Sequence, residues 1–251
     1  MRIKVHYTYI LVAFSFVLCG YFANLLIFTS IILIHDLGHI VMAKLMRIDI
    51  EKITIYPYGG LLELNIRVNT LIRKELLVAI GGFISQTILY VVIFLCYDLG
   101  LIREYIFNLF TVYYKNILFF NMLPIYPLDG SKIVRLLLDY ILPYKVVNKL
   151  TIIISVIVGI LVISLNIYQF NYTLIMILVI VVDNLVKYYQ SLDYYFNLFL
   201  LERYLYDHNF RKRKIVKKMG SMQKDRYHFF INNKEFETEK QVLLRKFRGK
   251  K

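Results

Sequence analysis

Two histidines and an aspartate interrupt an otherwise apolar stretch of the chain. His35, Asp36 and His39 lie within Ile31–Ile40, and ionisable side chains in a segment apolar enough to cross a bilayer usually mark a functional site. On a helix, residues four apart share a face, so the two imidazoles can bind one metal ion. Asp36 stands where the H-E-x-x-H motif carries its general base. The spacing fits a zinc site, and haem ligation by His35 or His39 stays open although no other motif supports it.

A second carboxylate follows a predicted helix break. Pro124 and Pro127 end an apolar run and leave Asp129 at the cytoplasmic end of the fourth expected helix. Two neutral imidazoles and one carboxylate form the three-ligand shell of a catalytic zinc, with a fourth position for water. We therefore expect one Zn²⁺ per chain on His35, His39 and Asp129. Taken alone, the Asp-Gly pair at this break is more typical of a turn.

The composition is that of an integral membrane protein. Of the 251 residues, 59% are hydrophobic, which is too apolar for a soluble domain of this size, and several runs approach the roughly 20 residues that cross the hydrocarbon layer. Cys19 and Cys96 both lie in apolar runs, so neither a disulfide framework nor a cysteine zinc site is expected. The fold class predicted is an all-α polytopic membrane protein.

Six transmembrane helices account for the apolar runs. Loops that would face the cytoplasm are rich in Lys and Arg, including 44–75 and 131–150, whereas the opposite loops carry one Arg at most, so both termini are predicted to be cytoplasmic. The first apolar run is expected to be a retained helix, because no small-x-small cleavage site follows it. The expected spans are Tyr7–Gly20, Tyr21–Ala43, Leu76–Tyr97, Tyr105–Leu123, Thr151–Leu165 and Tyr172–Tyr189.

Two segments lie outside this helical pattern. Glu51–Asn65 alternates around Pro57 and Gly59-Gly60 and predicts a β-hairpin-like loop at the membrane surface. The last fifty residues, 202–251, carry sixteen Lys and Arg against six Asp and Glu, which is typical of a segment facing an anionic leaflet. We expect a six-span metalloprotease domain over 1–200 and a short basic cytoplasmic tail over 201–251. No RNA-type motif accompanies the charge, so nucleic acid is not expected as a partner.

Three elements together resemble the site-2 protease family of intramembrane zinc metalloproteases, and most closely its sporulation members. They are His35-Asp-Leu-Gly-His39, the Gly59-Gly60 hairpin, and Asn121-x-x-Pro-x-x-Pro-x-Asp129-Gly130. The resemblance implies His35, His39 and Asp129 as zinc ligands, Asp36 as general base and Asn121 as a polar group that orients the substrate. It also implies cleavage of a membrane-tethered protein near the cytoplasmic face, of the precursor type of sigma factor K, and inhibitory membrane partners. The location implied is the mother-cell membrane around the forespore.

Two departures from the family pattern leave alternatives open. The family carries Glu where this chain has Asp36, whose carboxylate is one methylene shorter, and misplacement by about 1 Å can cost about a hundredfold in rate. A catalytically impaired membrane scaffold is therefore the alternative to a protease. A transporter is a third possibility, although only one broken helix is evident. Sporulation relatives often carry a CBS domain, but the tail offers only Arg226–Ile231 as a strand, at most a degenerate remnant. A homo-oligomer remains open.

Overall fold

A computed structural model describes residues 2–5, 7–56, 59–64, 67–165, 172–206, 208, 210, 212–232 and 235–248. The described chain is mostly helical and contains two small three-stranded sheets. The strands are β1 Arg2–Val5, β2 Ile50–Tyr56, β3 Gly59–Leu64, β4 Lys212–Val216, β5 Arg226–Asn232 and β6 Glu235–Thr238. The helices are α1 Tyr7–Leu18, α2 Phe22–Leu45, α3 Ile72–Asp98, α4 Glu104–Met122, α5 Asp129–Asp139, α6 Tyr144–Leu165, α7 Tyr172–Gln190, α8 Leu192–Leu205 and α9 Glu239–Arg248.

Three of these helices, α2, α3 and α6, are long and apolar enough to cross a membrane. They contain 24, 27 and 22 residues, and at 1.5 Å per residue each exceeds about 30 Å, the thickness of a typical hydrocarbon layer. By helix length and apolar composition, the expectation of a membrane protein is confirmed. Helices also occupy the other three predicted spans, but α1 has 12 residues and is only about 18 Å long. The number of six spans and the orientation of the termini stay predictions.

The chain divides into two compact units, and the first contains residues 1–66 and 77–122. Its core forms where Ile31 and Ile32 of α2 pack with Phe110 and Ile117 of α4. The predicted hairpin is confirmed, because β2 and β3 pair antiparallel. The sequence did not reveal that β1 adds to β2 in parallel, since four residues are too few to show a strand period.

The second unit contains residues 67–76 and 123–251. The fourth predicted span ends as expected, since α4 stops at Met122, two residues before Pro124. The segment 131–150, expected as a loop, is instead largely helical: α5 covers 129–139 and α6 begins at Tyr144. The reason is that α5 is amphipathic, with Leu136 buried and Leu137 exposed, so it gains from packing that a hydropathy scan does not detect.

The tail of the chain folds within this second unit. The strand predicted at 226–231 is confirmed as β5, which pairs in parallel with β4 and antiparallel with β6. Its core joins residues from the tail to residues that precede it in the chain, among them Tyr144 of α6 and Phe199 and Leu200 of α8. The domain boundary at 200 and the CBS-like origin of the tail stay predictions.

Candidate metal centre

One face of α2 carries the two predicted histidine ligands. His35 and His39 are 4% and 7% exposed, and their rings meet edge to face with centroids 4.7 Å apart. The four-residue spacing places one imidazole a single turn above the other, as expected for a helix. The two Nε2 atoms lie 3.1 Å apart, so both rings direct the same nitrogen towards a common point.

The other nitrogen of each ring is held by α3. The Nδ1 of His39 lies 2.7 Å from the backbone carbonyl of Val78, which can only accept, so this nitrogen carries the proton. The Nδ1 of His35 lies 3.1 Å from Oε1 of Gln86. The Gln86 amide is fixed in this orientation because its Nε2 donates to the Tyr114 carbonyl at 3.2 Å. His35 is therefore also the tautomer protonated at Nδ1.

This pair of tautomers leaves two lone pairs facing each other. Each neutral ring that is protonated at Nδ1 presents an unprotonated Nε2, and these atoms are 3.1 Å apart in a buried site. A cation close to both nitrogens would be stabilised by these two acceptors. Metal-binding histidines usually donate their second nitrogen to a carbonyl or carboxylate in this way. Two imidazoles held in this way could together bind one divalent metal ion.

The crossing of α2 and α3 depends on three glycines. A Cβ on Gly82 would lie 2.7 Å from Nε2 of His35, and a Cβ on Gly81 would lie 2.7 Å from the carbonyl oxygen of Gly38. A Cβ on Gly38 would in turn meet Ser85 and the Gly81 carbonyl. Small residues of this kind let membrane helices approach closely, and here the approach delivers Val78 and Gln86 to the imidazoles.

The sequence predicted neither Gln86 nor Gly82 as part of the site. Gln86 is fully buried, and a polar side chain inside an apolar span is a signal that could have identified it. The adjacent pair Gly81-Gly82 in the same span is a second, weaker signal. What the sequence could not supply was the pairing of these residues with histidines that lie about forty to fifty positions earlier.

Two further predicted site residues lie on helices of the first unit. Asp36 is part-buried on α2, and as the neighbour of His35 it projects about 100° around the helix from that ring. Asn121 is the penultimate residue of α4 and is also part-buried. The structure places both on regular helices, and their catalytic roles stay predictions.

Asp129 belongs to the second unit and begins α5. Its residue is 8% exposed, and its Oδ1 accepts a hydrogen bond from Nζ of Lys132 at 2.8 Å. A carboxylate in the first turn also interacts favourably with the positive end of the helix dipole. The helix start replaces the simple turn that an Asp-Gly pair suggests. Its role as a metal ligand stays a prediction.

Comparison with known proteins gives two relatives by sequence, and no family model matches. The chain is 33% identical over 150 residues to stage IV sporulation protein FB of Bacillus subtilis, a match covering 60% of this chain and 52% of the relative. It is 32% identical over 120 residues to a zinc metalloprotease of Methanocaldococcus jannaschii, covering 46% of this chain and 34% of that protein. The chain thus spans about half the length of the first relative and about a third of the second.

The fold is similar to that of a solved site-2 protease from Methanocaldococcus jannaschii. The two structures agree with a TM-score of 0.57 at 23% identity, over 74% of this chain and 89% of the other. At that identity the match is evidence for the fold alone. Together with the two sequence relatives, this match supports the resemblance of the chain to the site-2 protease family.

Proposed function

We propose that the chain is an intramembrane zinc endopeptidase of the site-2 type. The observation that carries the proposal is the pair of unprotonated Nε2 atoms, 3.1 Å apart, on His35 and His39. Both Nδ1 atoms have acceptors, the Gln86 side chain and the Val78 carbonyl, so each ring presents its Nε2 to the shared site. Two imidazole nitrogens this close together can bind one cation.

The proposed ligands are His35, His39 and Asp129. Two imidazole nitrogens and one carboxylate oxygen are the donor set that zinc takes in catalytic sites, and the sequence relatives include a zinc metalloprotease. The Nδ1 hydrogen bonds to Gln86 and Val78 fit this assignment, because they fix the rings and raise the basicity of Nε2. When bound, zinc supplies a lowered pKa for water and polarisation of a carbonyl.

The remaining steps fall to the side chains themselves. Asp36 is proposed as the general base that accepts the proton of the attacking water and returns it to the leaving amine. Asn121 is proposed to orient the scissile peptide through its amide, which offers both a donor and an acceptor. The buried, apolar surroundings of α2 would restrict water near the reacting groups and strengthen their electrostatic interactions.

The substrate is proposed to bind as an extended segment. In the first sheet the strand order is β1-β2-β3, so β3 is an edge strand whose outer backbone groups can pair with an added strand. A peptide bond must be extended to be attacked, and strand addition provides that conformation. The sheet therefore gives the substrate a place to bind that does not depend on a particular side chain.

The biological setting is proposed from the sporulation relative. We propose a membrane-tethered precursor of the sigma factor K type as substrate, cut near the cytoplasmic face of a bacterial membrane, the mother-cell membrane around the forespore. Inhibitory membrane partners and a homo-oligomer belong to the same proposal. The support is the 33% identity to stage IV sporulation protein FB, together with three helices suited to a bilayer. Six spans with both termini cytoplasmic complete this proposal.

A second function is favoured by one residue. Asp36 is one methylene shorter than the glutamate of the H-E-x-x-H motif, which favours a scaffold that binds metal or substrate without turnover. Cleavage of a co-expressed tethered substrate separates the two functions. A protease predicts cleavage by the native chain and none by His35→Ala. A scaffold predicts cleavage only by Asp36→Glu. Cleavage that survives His35→Ala would overturn the zinc mechanism.

A further inference from the structure

A cavity unrelated to the histidine pair opens in the second unit, where α6, α7 and α8 meet. It encloses about 560 Å³, within the range of about 300–1,000 Å³ that is usual for small-molecule sites. Lys145 and Lys149, one turn apart on α6, line one side, and Tyr189 of α7 lines another. Ile152 continues the lining along α6 in the apolar direction.

The charge in this cavity is predominantly positive. Asp193 is the single carboxylate among its lining residues, and it lies 3.8 Å from Nζ of Lys145 while remaining 86% exposed. An exposed pair at that distance neutralises little charge. A third cation, Lys246, lies close by, since the Nζ atoms of Lys145 and Lys246 are 5.2 and 5.9 Å from the centre of the Phe196 ring. Two lysines therefore line the cavity, with a third near one of them, against one exposed carboxylate.

The position of the cavity along α6 is equally informative. Lys145 and Lys149 are the charged residues of this helix, and an uncharged stretch of sixteen residues follows to Leu165. That stretch is about 24 Å long, close to the thickness of the hydrocarbon layer. The lysines consequently lie at the level of the headgroups, where the exposed Tyr189 is also typical of a membrane interface. Ile152 and Ile153 lie at the start of the apolar layer.

We propose that this cavity binds the phosphate headgroup of an anionic phospholipid, with its acyl chains beside Ile152 and Ile153. Ammonium groups bind the phosphodiester, and the isoleucines accept the first methylenes. Basic pockets beside membrane helices bind acidic lipids by this chemistry. The inference depends on the membrane location of α6 and not on the proposed protease activity, so each can fail without the other.

The test is lipid binding to the full chain in a neutral detergent, measured by native mass spectrometry. Phosphatidylglycerol is titrated against phosphatidylcholine, which carries the same phosphate without net charge. We expect the native chain to prefer phosphatidylglycerol by about tenfold or more, since each lysine near an anionic surface contributes a several-fold gain. Lys145→Gln with Lys149→Gln is expected to abolish that preference, and the matched pair Lys145→Arg with Lys149→Arg to keep it.

A control removes the same charge elsewhere. Lys212 and Arg213 are exposed on β4 and do not line the cavity, so Lys212→Gln with Arg213→Gln should bind phosphatidylglycerol within about twofold of the native chain. Equal loss in this control, or no preference in the native chain, overturns the proposal. Displacement of the lipid by inorganic phosphate or glycerol 3-phosphate at millimolar concentration assigns the cavity to a soluble anion and overturns it also.

Discussion

Gly82 lies against the imidazole of His35, so that a Cβ at this position would stand 2.7 Å from both Cε1 and Nε2 of the ring. That separation is far inside van der Waals contact. The α3 backbone therefore approaches the His35 ring as closely as it does only because residue 82 has no side chain. One glycine sets the space in which the proposed metal ion must fit.

Gly82→Ala is expected to displace the histidine ring, lower zinc content well below that of the native chain and abolish cleavage. Zinc is measured by elemental analysis of gently purified protein, and cleavage with a co-expressed substrate. Gly159→Ala is the matched control, because a Cβ there meets nothing within 4 Å and an alanine favours the helix by about 0.5–1 kcal/mol. Native zinc content in Gly82→Ala would contradict this geometry.

Gln86→Leu removes the acceptor that fixes the His35 tautomer. Loss of a residue that orients a metal ligand typically costs about 10–100-fold in metal affinity, and a loss in this range is expected from zinc titration against a competing chelator. Thr87→Val is the control, since the Thr87 hydroxyl is exposed and its hydrogen bond among the described residues is to the Phe83 carbonyl of its own helix, at 2.8 Å. Equal affinities in the two variants would exclude Gln86 from the site.

Asp36→Glu lengthens the proposed base by one methylene and restores the residue of the H-E-x-x-H motif. If Asp36 is the base, we expect the rate constant for cleavage to rise by up to about a hundredfold, because placement errors of about 1 Å have effects of that size. Zinc content should stay unchanged. Asp36→Asn serves as the reference, and activity in this variant equal to that of the native chain would show that another group takes the proton.

Asp139→Asn is expected to stabilise the protein at neutral pH. Asp139 is 1% exposed, and neither carboxylate oxygen has a hydrogen-bond partner among the described residues. Burial raises its pKa to about 6, although Lys224 and Arg135 act in the opposite direction. The pKa of Asp139 is higher in the folded state than in the unfolded state. Its contribution to the free energy of unfolding is therefore fully present below about pH 4 and is lost as the pH rises through 6.

At pH 7 this pKa shift of Asp139 lowers the free energy of unfolding by roughly 3 kcal/mol. Thermal unfolding in detergent at pH 5, 6 and 7 should show a smaller decline with pH for Asp139→Asn than for the native chain. Asp49→Asn, at an exposed position, should change the free energy of unfolding by less than about 0.5 kcal/mol. A steeper pH dependence in Asp139→Asn would contradict the assignment.

Arg203→Met is expected to unfold the tail. Its guanidinium donates to Glu239 at 3.0 Å and to Asn69 at 2.7 Å, and the ion-paired side chains are 1% and 6% exposed. Removing one partner of a buried ion pair costs about 3–5 kcal/mol. Arg245→Met, which breaks an exposed pair with Glu237, should cost at most about 1 kcal/mol. Limited proteolysis of residues 201–251 compares the two variants. Equal resistance to the protease would show that the Arg203–Glu239 pair does not hold the tail folded.

Much of the first unit could be predicted from local sequence. The four-residue spacing places His35 and His39 on one helical face whatever surrounds them, because the helix period alone decides it. Alternation around Pro57 predicts the hairpin, and Pro124 predicts the end of α4, since these signals act over a few residues. The membrane character follows from composition and run length.

Only the tertiary structure decided which nitrogen each histidine presents. That depends on Val78 and Gln86, which lie 39 and 51 positions from their partners, and on glycines that let α3 come close enough to supply them. The cavity at α6 arises in the same way, from helices whose lining residues lie far apart in the chain. Contacts between elements depend on packing across the fold, and a one-dimensional period contains no information about which faces meet.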